Sequence, residues 1–345
     1  MQSKMRAVVK TNPSPGAELM EVEVPATEPQ DVLVKVKATS ICGSDLHLYI
    51  WNSWASSRVE LPRIMGHEFC GEVVEVGKDV STHSVGDYVS CKTHIICNRC
   101  YQCRIGRGDI CQNLKIIGFE RDGSFAEYIA IPAQNAWINS PHLKPEIATL
   151  QEPLGNAVHT VFSGEVASKN VTVLGCGPIG LMSVALSKIG GATKVFATDI
   201  NPYRLRLAEK MGADFVLDAR EDVVSEILGE TLGEGVDVVL EMSGSPVALK
   251  QGFKIIRNGG RFSLLGLPSE PVMIDVSKEI IFKGITLQGI TGRRMFETWY
   301  KVKSFLDSGM LDISPIITHK IKLEEFEKGM ELMKSGDCGK VMMFL

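Results

Sequence analysis

The feature that most constrains this chain is a run of four cysteines, Cys97, Cys100, Cys103 and Cys111. Successive cysteines are separated by two, two and seven residues, so one loop can wrap a tetrahedral ion. Four thiolates around zinc leave no coordination position open, and such a site stabilises a fold without activating a substrate. The spacing therefore predicts a structural zinc site.

An iron–sulfur cluster is an alternative for the same run, because two short spacings also open the bacterial ferredoxin pattern. In that pattern the fourth cysteine follows after three residues and precedes proline. Here it follows after seven and precedes Gln112. Four unrelated buried thiols are the other alternative, and zinc is favoured over both.

A second candidate ligand set combines Cys42 with the adjacent pair His67 and Glu68. Three mixed protein ligands suit a catalytic zinc, which keeps one position open for water or substrate. Each residue alone is weak evidence, since a lone cysteine is usually a buried apolar residue. Together with the nucleotide motif described next, the set predicts an open metal site with a chemical role.

The segment VTVLGCGPIGLMSVALSKIG predicts a strand, a glycine turn and a helix. Gly175 permits the turn, Gly177 lets the backbone approach a pyrophosphate, and Gly180 allows close packing of helix on strand. Asp199 ends the next strand, where an acid accepts hydrogen bonds from the adenosine ribose. This carboxylate favours NAD over NADP, although Arg204 lies nearby and could accommodate a 2′-phosphate.

Composition is that of a soluble enzyme with two domains. The chain has 345 residues, and 37 basic against 41 acidic side chains give a net charge of −4. This balance does not favour nucleic acid as a partner. The amino-terminal residues MQSKMRAVVK lack the apolar stretch of a secretory signal, and no run suits a membrane span. We expect a cytoplasmic protein without disulfides, in which five of the nine cysteines bind metal and the other four, Cys70, Cys91, Cys176 and Cys338, are buried thiols.

Hydrophobic periodicity predicts two kinds of domain. Residues 6–40 and 66–90 alternate apolar and polar side chains, as short antiparallel strands of a barrel do. From residue 156, six strands alternate with helical stretches, which predicts an α/β fold with a doubly wound parallel sheet. Those strands lie near 171–174, 194–199, 214–217, 236–241, 260–265 and 285–290. A sheet of six strands is complete without the tail, residues 295–345. We therefore expect residues 1–155 and 295–345 to form one discontinuous domain and 156–294 the other.

The order of these motifs resembles that of the zinc-dependent medium-chain alcohol dehydrogenases over nearly the whole chain. Cys-Gly-Ser-Asp-x-His comes first, then Gly-His-Glu, the four cysteines and the glycine pattern. The resemblance implies a GroES-like barrel, a Rossmann domain, NAD as coenzyme and two zinc ions per subunit. It assigns Cys42, His67 and Glu68 to the catalytic zinc and the cysteine run to the structural one. It also implies a homotetramer that shares a sheet edge around residues 285–295.

Within that family, several stretches resemble the members that oxidise the β-hydroxyl of L-threonine. They are ICGSDLHLYIWNSWA, ATLQEPLGNAVHT, GITGRRMFETWY and PIITHK. Oxidation of threonine gives 2-amino-3-oxobutanoate. A polyol dehydrogenase of the sorbitol type, or another secondary-alcohol dehydrogenase, is the nearest alternative. A nucleotide-binding protein without catalysis and a redox-responsive zinc protein are alternatives from another class.

The resemblance also implies roles for single residues. Ser44 and His47 correspond to the family's relay for the substrate proton, and Glu152 to an acid that ligates the zinc or assists the relay. Coenzyme contacts are implied at Ile179, Asp199, Arg204, Gly266, Leu267, Pro268, Ile290 and Thr291. Because threonine is a zwitterion, we expect partners for its two charges, with His94 for the carboxylate and Glu152 for the ammonium.

Overall fold

The computed structural model describes residues 3–345. The chain divides into two compact units. The first contains the chain up to Glu152 together with Ile317–Leu345, and the second is Pro153–Ile316. The first unit is therefore discontinuous in sequence.

The strands of the described residues are numbered β1 to β18 in chain order. They are Lys4–Lys10, Glu18–Glu23, Asp31–Ser40, Arg63–Ile64, Glu68–Val76, Tyr88–Cys91, His94–Ile95, Lys115–Ile116, Tyr128–Pro132, Ala136–Ile138, Asn170–Leu174, Lys194–Asp199, Phe215–Asp218, Val236–Glu241, Ile256–Leu264, Thr286–Gly289, Ile317–Lys322 and Lys340–Phe344.

The α-helices within residues 3–345 are numbered α1 to α11 in the same way. They are Gly43–Ile50, Ser53–Ser56, Tyr101–Arg104, Pro145–Thr149, Gln151–Val161, Pro178–Ile189, Pro202–Lys210, Val223–Glu230, Pro246–Ile255, Glu297–Asp307 and Phe326–Ser335. Short 3-10 turns occur at Gly108–Ile110, Ala133–Asn135, Ser314–Ile316 and Leu323–Glu325, and a π-helical turn at Ser277–Ile281. Across residues 3–345, none of the helices has the length and apolarity needed to span a membrane.

The first unit is built around β3, which pairs antiparallel with β5, β9 and β18. Along β3 the buried Val34 and Val36 alternate with the exposed Lys35 and Lys37, the pattern of a strand with one face on a core. The carboxyl-terminal strand β18 enters this sheet beside β3, and β17 continues it on the far side. The return of the tail therefore supplies two strands to the first unit.

The second unit contains a six-stranded sheet in the order β13-β12-β11-β14-β15-β16, and every pairing is parallel. The first strand of the unit thus lies in the middle, and the order reverses between β11 and β14. This order is typical of dinucleotide-binding sheets, which place ligands at the carboxyl ends of the strands beside the reversal. The predicted α/β fold class and its six strands are confirmed.

The second domain boundary differs from the sequence prediction, which began the tail at residue 295. The structure assigns α10 to the second unit, and the chain passes to the first unit only at Ile317. Trp299 and Val302 of α10 are buried, and the ring of Phe305 stacks on that of Phe162 at 5.7 Å. An amphipathic helix pattern shows that one face is buried but does not identify the partner that buries it.

The turn into α6 depends on a close approach that only glycine permits. A Cβ atom at Gly180 would lie 1.9 Å from the carbonyl oxygen of Gly175. We predict that Gly180→Ala destabilises the second unit by about 1–3 kcal/mol, because a backbone atom cannot move aside as a flexible side chain can. The thermal unfolding midpoint measures this.

Gly229→Ala is the matched control, since Gly229 lies in α8 and its added Cβ would meet nothing within 4 Å. That variant should unfold at the same temperature or higher. An unfolding midpoint of Gly180→Ala equal to that of the control would contradict the packing argument.

Candidate active site and structural metal centre

The structure brings Cys42, His67 and Glu68 together, with one ligand atom of each within 4.8 Å of the others. Cys42 is the residue before α1, and Glu68 begins β5 directly after His67. His67 and Glu68 are buried, whereas Cys42 is partly exposed. A thiol, an imidazole and a carboxylate from two segments therefore converge in the first unit.

Asp45 holds two of these ligands in place. Its carboxylate accepts a hydrogen bond from the backbone N–H of Cys42 at 2.9 Å, and its other oxygen lies 3.2 Å from Nδ1 of His67. A carboxylate behind one ring nitrogen is a common support for a metal-binding histidine and leaves Nε2 as the ligand atom. Burial lowers the pKa of His67, but Asp45 and Cys42 together raise it well above its ordinary value.

Glu68 is held by a buried cation from the carboxyl-terminal strand. One carboxylate oxygen accepts from Nζ of Lys340 and from the hydroxyl of Ser40. Lys340 is 2% exposed and also donates to the carbonyl of Ile41 at 3.2 Å. Burial lowers the pKa of Lys340, yet the attraction of Glu68 and Cys42 raises it overall, so the ammonium stays charged.

The second carboxylate oxygen of Glu68, Oε1, is buried and has no hydrogen-bond partner among residues 3–345. A buried carboxylate oxygen without a partner is costly, and a coordinated cation satisfies it. The atom belongs to a group whose ligand types suit zinc with an open position. The residues present therefore fit a catalytic zinc.

Glu152 lies next to the ligand group without belonging to it. Its carboxylate accepts from the hydroxyl of Thr93 at 2.6 Å, and the same hydroxyl lies 3.2 Å from the carbonyl oxygen of His67. The side chain of Glu152 is 5% exposed. His94 follows Thr93 as the first residue of β7 and is partly buried.

Ser44 and His47 both lie on α1, which begins immediately after Cys42. Ser44 is in the first turn and partly exposed, while His47 is in the last turn and exposed. Nδ1 of His47 lies 2.8 Å from Nδ2 of Asn52. The helix therefore leads from the metal ligands toward solvent.

The four cysteines of the second set also converge, with their sulfurs within 4.8 Å of one another. The short helix α3 and the 3-10 turn Gly108–Ile110 bend one loop around the group. The side-chain amide of Asn113 and the backbone N–H groups of Arg99 and Cys100 lower the pKa of Cys97 to about 5. Hydrogen bonds that favour a thiolate suit a metal ligand. The group fits a closed tetrahedral zinc site.

In the second unit, the glycine turn opens on a cavity of about 690 Å³. Gly175, Gly177, Asp199 and Arg204 line it. Gly175 has φ +95°, a left-handed conformation that favours glycine. A Cβ at Gly177 would meet nothing within 4 Å, so the backbone there is open to a ligand. These features fit the pyrophosphate and adenosine of a dinucleotide.

Asp199 also braces the turn itself. Its carboxylate accepts from the backbone N–H of Cys176 at 2.7 Å and from that of Asn201 at 2.8 Å. It thus ties the glycine turn to the start of α7, which carries Arg204. Predicted coenzyme residues outside the cavity lining are Gly180, which packs on Gly175, and Ile179, Gly266, Leu267, Pro268, Ile290 and Thr291.

Two family models match separate segments of the chain, one around the cysteine motifs and one from the glycine turn onward. Residues 28–141 match the model described as the alcohol dehydrogenase GroES-like domain, and residues 178–308 match the zinc-binding dehydrogenase model. The chain belongs to the zinc-binding dehydrogenase family. The predictions of an enzyme, of a zinc-dependent oxidoreductase and of NAD and zinc as cofactors are confirmed for this zinc-binding dehydrogenase.

Curated relatives of this dehydrogenase match it over their full length. An L-threonine 3-dehydrogenase of Caldanaerobacter subterraneus subsp. tengcongensis is 54% identical, and the alignment covers 100% of both chains. One of Pyrococcus abyssi is 53% identical with the same coverage. Among solved structures, the alcohol dehydrogenase TADH of Thermus sp. ATN1 matches with a TM-score of 0.88 and 32% identity over 99% of each chain.

Sequence reasoning assigned no role to Asp45, Thr93 or Lys340. The signal for Asp45 was its position three residues after Cys42 at a helix start, where an acid is well placed to bind the backbone. For Lys340 it was a lysine opening the apolar strand GKVMMFL. Thr93 left no such signal.

We predict that Cys103→Ser lowers the zinc content by one ion per chain, because one of the two ligand groups loses a thiolate. The thermal unfolding midpoint should fall as well, since a structural zinc contributes to folding. Elemental analysis of the dialysed protein measures the zinc.

Cys338→Ser is the matched control, because Cys338 is a thiol outside both ligand groups and donates to the carbonyl of Leu332. Its zinc content should equal that of the wild type. Retention of all zinc by Cys103→Ser would contradict the assignment of the four-cysteine group.

Proposed function

We propose that this protein is an NAD-dependent dehydrogenase of L-threonine. It oxidises the β-hydroxyl by transfer of one hydride from Cβ to NAD and release of one proton, which gives 2-amino-3-oxobutanoate and NADH. Support comes from the full-length relatives, which are named L-threonine 3-dehydrogenases at 54% and 53% identity. The observation in the chain itself that carries the proposal is the convergence of Cys42, His67 and Glu68 beside a buried acid, Glu152.

The first task of the site is to make the hydroxyl acidic, because an unactivated secondary alcohol holds its proton at neutral pH. Cys42, His67 and Glu68 would hold a zinc ion, which would supply a Lewis acid for the hydroxyl oxygen. Asp45 orients His67, and Lys340 occupies one oxygen of Glu68, so both ligands are fixed in direction.

The second task is to carry the hydroxyl proton away. We assign Ser44 to receive it, because Ser44 lies in the first turn of α1 next to Cys42. His47 lies in the last turn of the same helix and is exposed, so it can hand a proton to water. A serine hydroxyl and an imidazole ring can each accept and donate a proton, which suits such a transfer.

The third task is to hold a zwitterion. Glu152 is an acid beside the ligand group and suits the ammonium of threonine. His94 is next to Thr93 in sequence, and we assign it to the carboxylate. A His94→Ala variant that kept the same KM for L-threonine would remove this assignment.

For the coenzyme we assign Asp199 and Arg204 to the adenosine ribose and Ile179 to the pyrophosphate. Asp199 accepts from two backbone N–H groups, which fixes its carboxylate at the cavity. A fixed negative charge there disfavours a 2′-phosphate and supports NAD over NADP. We assign Gly266, Leu267, Pro268, Ile290 and Thr291 to the nicotinamide half.

We also propose that the enzyme is a cytoplasmic homotetramer. Strand β16 ends the parallel sheet in the part of the chain that the structure describes. The segment before it exposes apolar side chains, with Met273 at 90% and Phe282 at 82%. A second copy that pairs with this edge would cover them. Size and subunit number are measurable by light scattering.

The test of the activity is NAD reduction by zinc-loaded protein, with L-threonine and sorbitol supplied in parallel at equal concentration. We predict faster turnover of L-threonine, because Glu152 and His94 are assigned to bind an ammonium and a carboxylate, groups that a polyol lacks. Sorbitol is the probe for the polyol alternative.

Faster turnover of sorbitol would contradict the proposal while leaving the fold and both metal groups unchanged. Turnover of neither substrate would favour a protein that binds nucleotide without catalysis. Activity that follows thiol oxidation and reduction rather than substrate would favour the redox-responsive alternative.

A further inference from the structure

The turn between α1 and α2 holds the side chain of His47 on two sides. On one side, Nδ1 of His47 lies 2.8 Å from Nδ2 of Asn52. On the other, its ring lies 6.1 Å from the ring of Trp54, tilted by 59°. Asn52 is the residue that caps the amino end of α2.

The orientation of the Asn52 amide is fixed by its role as a helix cap. Its Oδ1 accepts a hydrogen bond from the backbone N–H of Ala55 at 3.1 Å. A backbone N–H can only donate, so the atom that faces it must be the amide oxygen. The atom that faces His47 is therefore the NH2 group, and it donates to Nδ1.

The tautomer of His47 follows from that assignment. A ring nitrogen that accepts a hydrogen bond carries no proton, so the neutral ring has its proton on Nε2. A further proton could attach only at Nδ1, where it would face the NH2 group of Asn52. The amide could turn its oxygen toward His47 only by giving up the cap on Ala55.

The ring is also packed against a row of aromatic side chains that leads back to the metal ligands. Trp54 packs edge-on against Phe119 at 5.3 Å, and Phe119 lies 5.7 Å from the ring of His67. Phe119 is buried in the core of the first unit. Rotation of the His47 ring is therefore limited on the Trp54 side.

We propose that Asn52 is a positioning residue that holds His47 as the Nε2–H tautomer and so determines which ring nitrogen takes part in proton transfer. The inference deepens the proposed function, because it rests on His47 as part of the proton path. Asn52 touches neither a metal ligand nor, in this account, the substrate. It acts through His47 alone.

Other charged groups on the elements around α1 are already engaged. Asp45 on α1 itself is bonded to the Cys42 N–H and lies beside His67. On α11, Glu327 and Glu331 act on Tyr49. Arg58 lies over the Trp54 ring and pairs with Glu120. Among the described residues, Asn52 is the polar side chain that hydrogen-bonds the His47 ring.

Two substitutions separate the tautomer from the helix cap. Asn52→Asp keeps an oxygen for Ala55 but presents a carboxylate to Nδ1, which favours the Nδ1–H tautomer and the doubly protonated ring. Asn52→Ser keeps a short cap that does not reach His47. Ser56→Ala is the control, because Ser56 lies on α2 and its hydroxyl donates to the carbonyl of Ser53 rather than to His47.

The first readout is the pH profile of kcat/KM for L-threonine. We expect Asn52→Asp to move the acid limb to higher pH by about one unit, because a carboxylate favours the protonated ring, which takes up no further proton. Asn52→Ser should shift the acid limb of the profile less, and Ser56→Ala should not shift it.

In a His47→Gln background, neither substitution at Asn52 should shift the acid limb. Profiles of both variants that coincide with that of the wild type would overturn the proposal.

The second readout needs no turnover and uses protein labelled with ¹⁵N-histidine, with the His47 signals assigned by their loss in His47→Gln. The wild type should show a protonated Nε2 and an unprotonated Nδ1, and Asn52→Asp the reverse. A protonated Nδ1 in the neutral wild-type ring would overturn the proposal even if Asn52→Asp did not fold. Failure of the wild type to oxidise L-threonine would instead contradict the proposed function, and the ring signals would still decide the tautomer.

Discussion

The buried ion pair between Glu68 and Lys340 is the interaction on which the rest of the site depends. Burying a carboxylate is costly unless a cation accompanies it, and here Cys42 and Asp45 add further negative character around His67. Lys340 compensates one oxygen of Glu68 and leaves the other without a partner. A metal ion at this place would satisfy that second oxygen.

The same ion pair explains why the chain returns to its first unit. Lys340 opens β18, which pairs with β3, and Ser40 at the end of β3 also bonds Glu68. The carboxyl-terminal strand therefore places its lysine beside the ligand group through backbone pairing. A tail that ended in the second unit would leave Glu68 buried without its cation. The strand pairing that makes the first unit discontinuous therefore also places the counter-ion of Glu68.

The sequence predicted the parts of this protein whose signals are local. Cysteine spacing identified the four-sulfur group, and the glycine pattern with Asp199 identified residues that line one cavity. Each motif lies within one loop or one strand–turn–helix unit. Lys340 was missed because it meets Glu68 only through the pairing of β18 with β3. Asp45 left a local signal at the start of α1, but its contact with His67 depends on two separate segments coming together. Helix α10 was assigned to the wrong unit because its pattern does not identify its partner. The sequence analysis included Asn52 in a stretch that resembles the family but predicted no contact for it. Its contact with His47 depends on how its side chain caps α2.

The most direct test of this account is a zinc titration of metal-free protein with the rate of NADH formation from L-threonine as the readout. Zinc should restore no activity while the four-cysteine group fills, and activity should rise with the ion that binds the Cys42, His67 and Glu68 group. Activity should stop rising when both groups are full. Full activity in metal-free protein, or activity that is complete once the four-cysteine group alone is filled, would contradict the account.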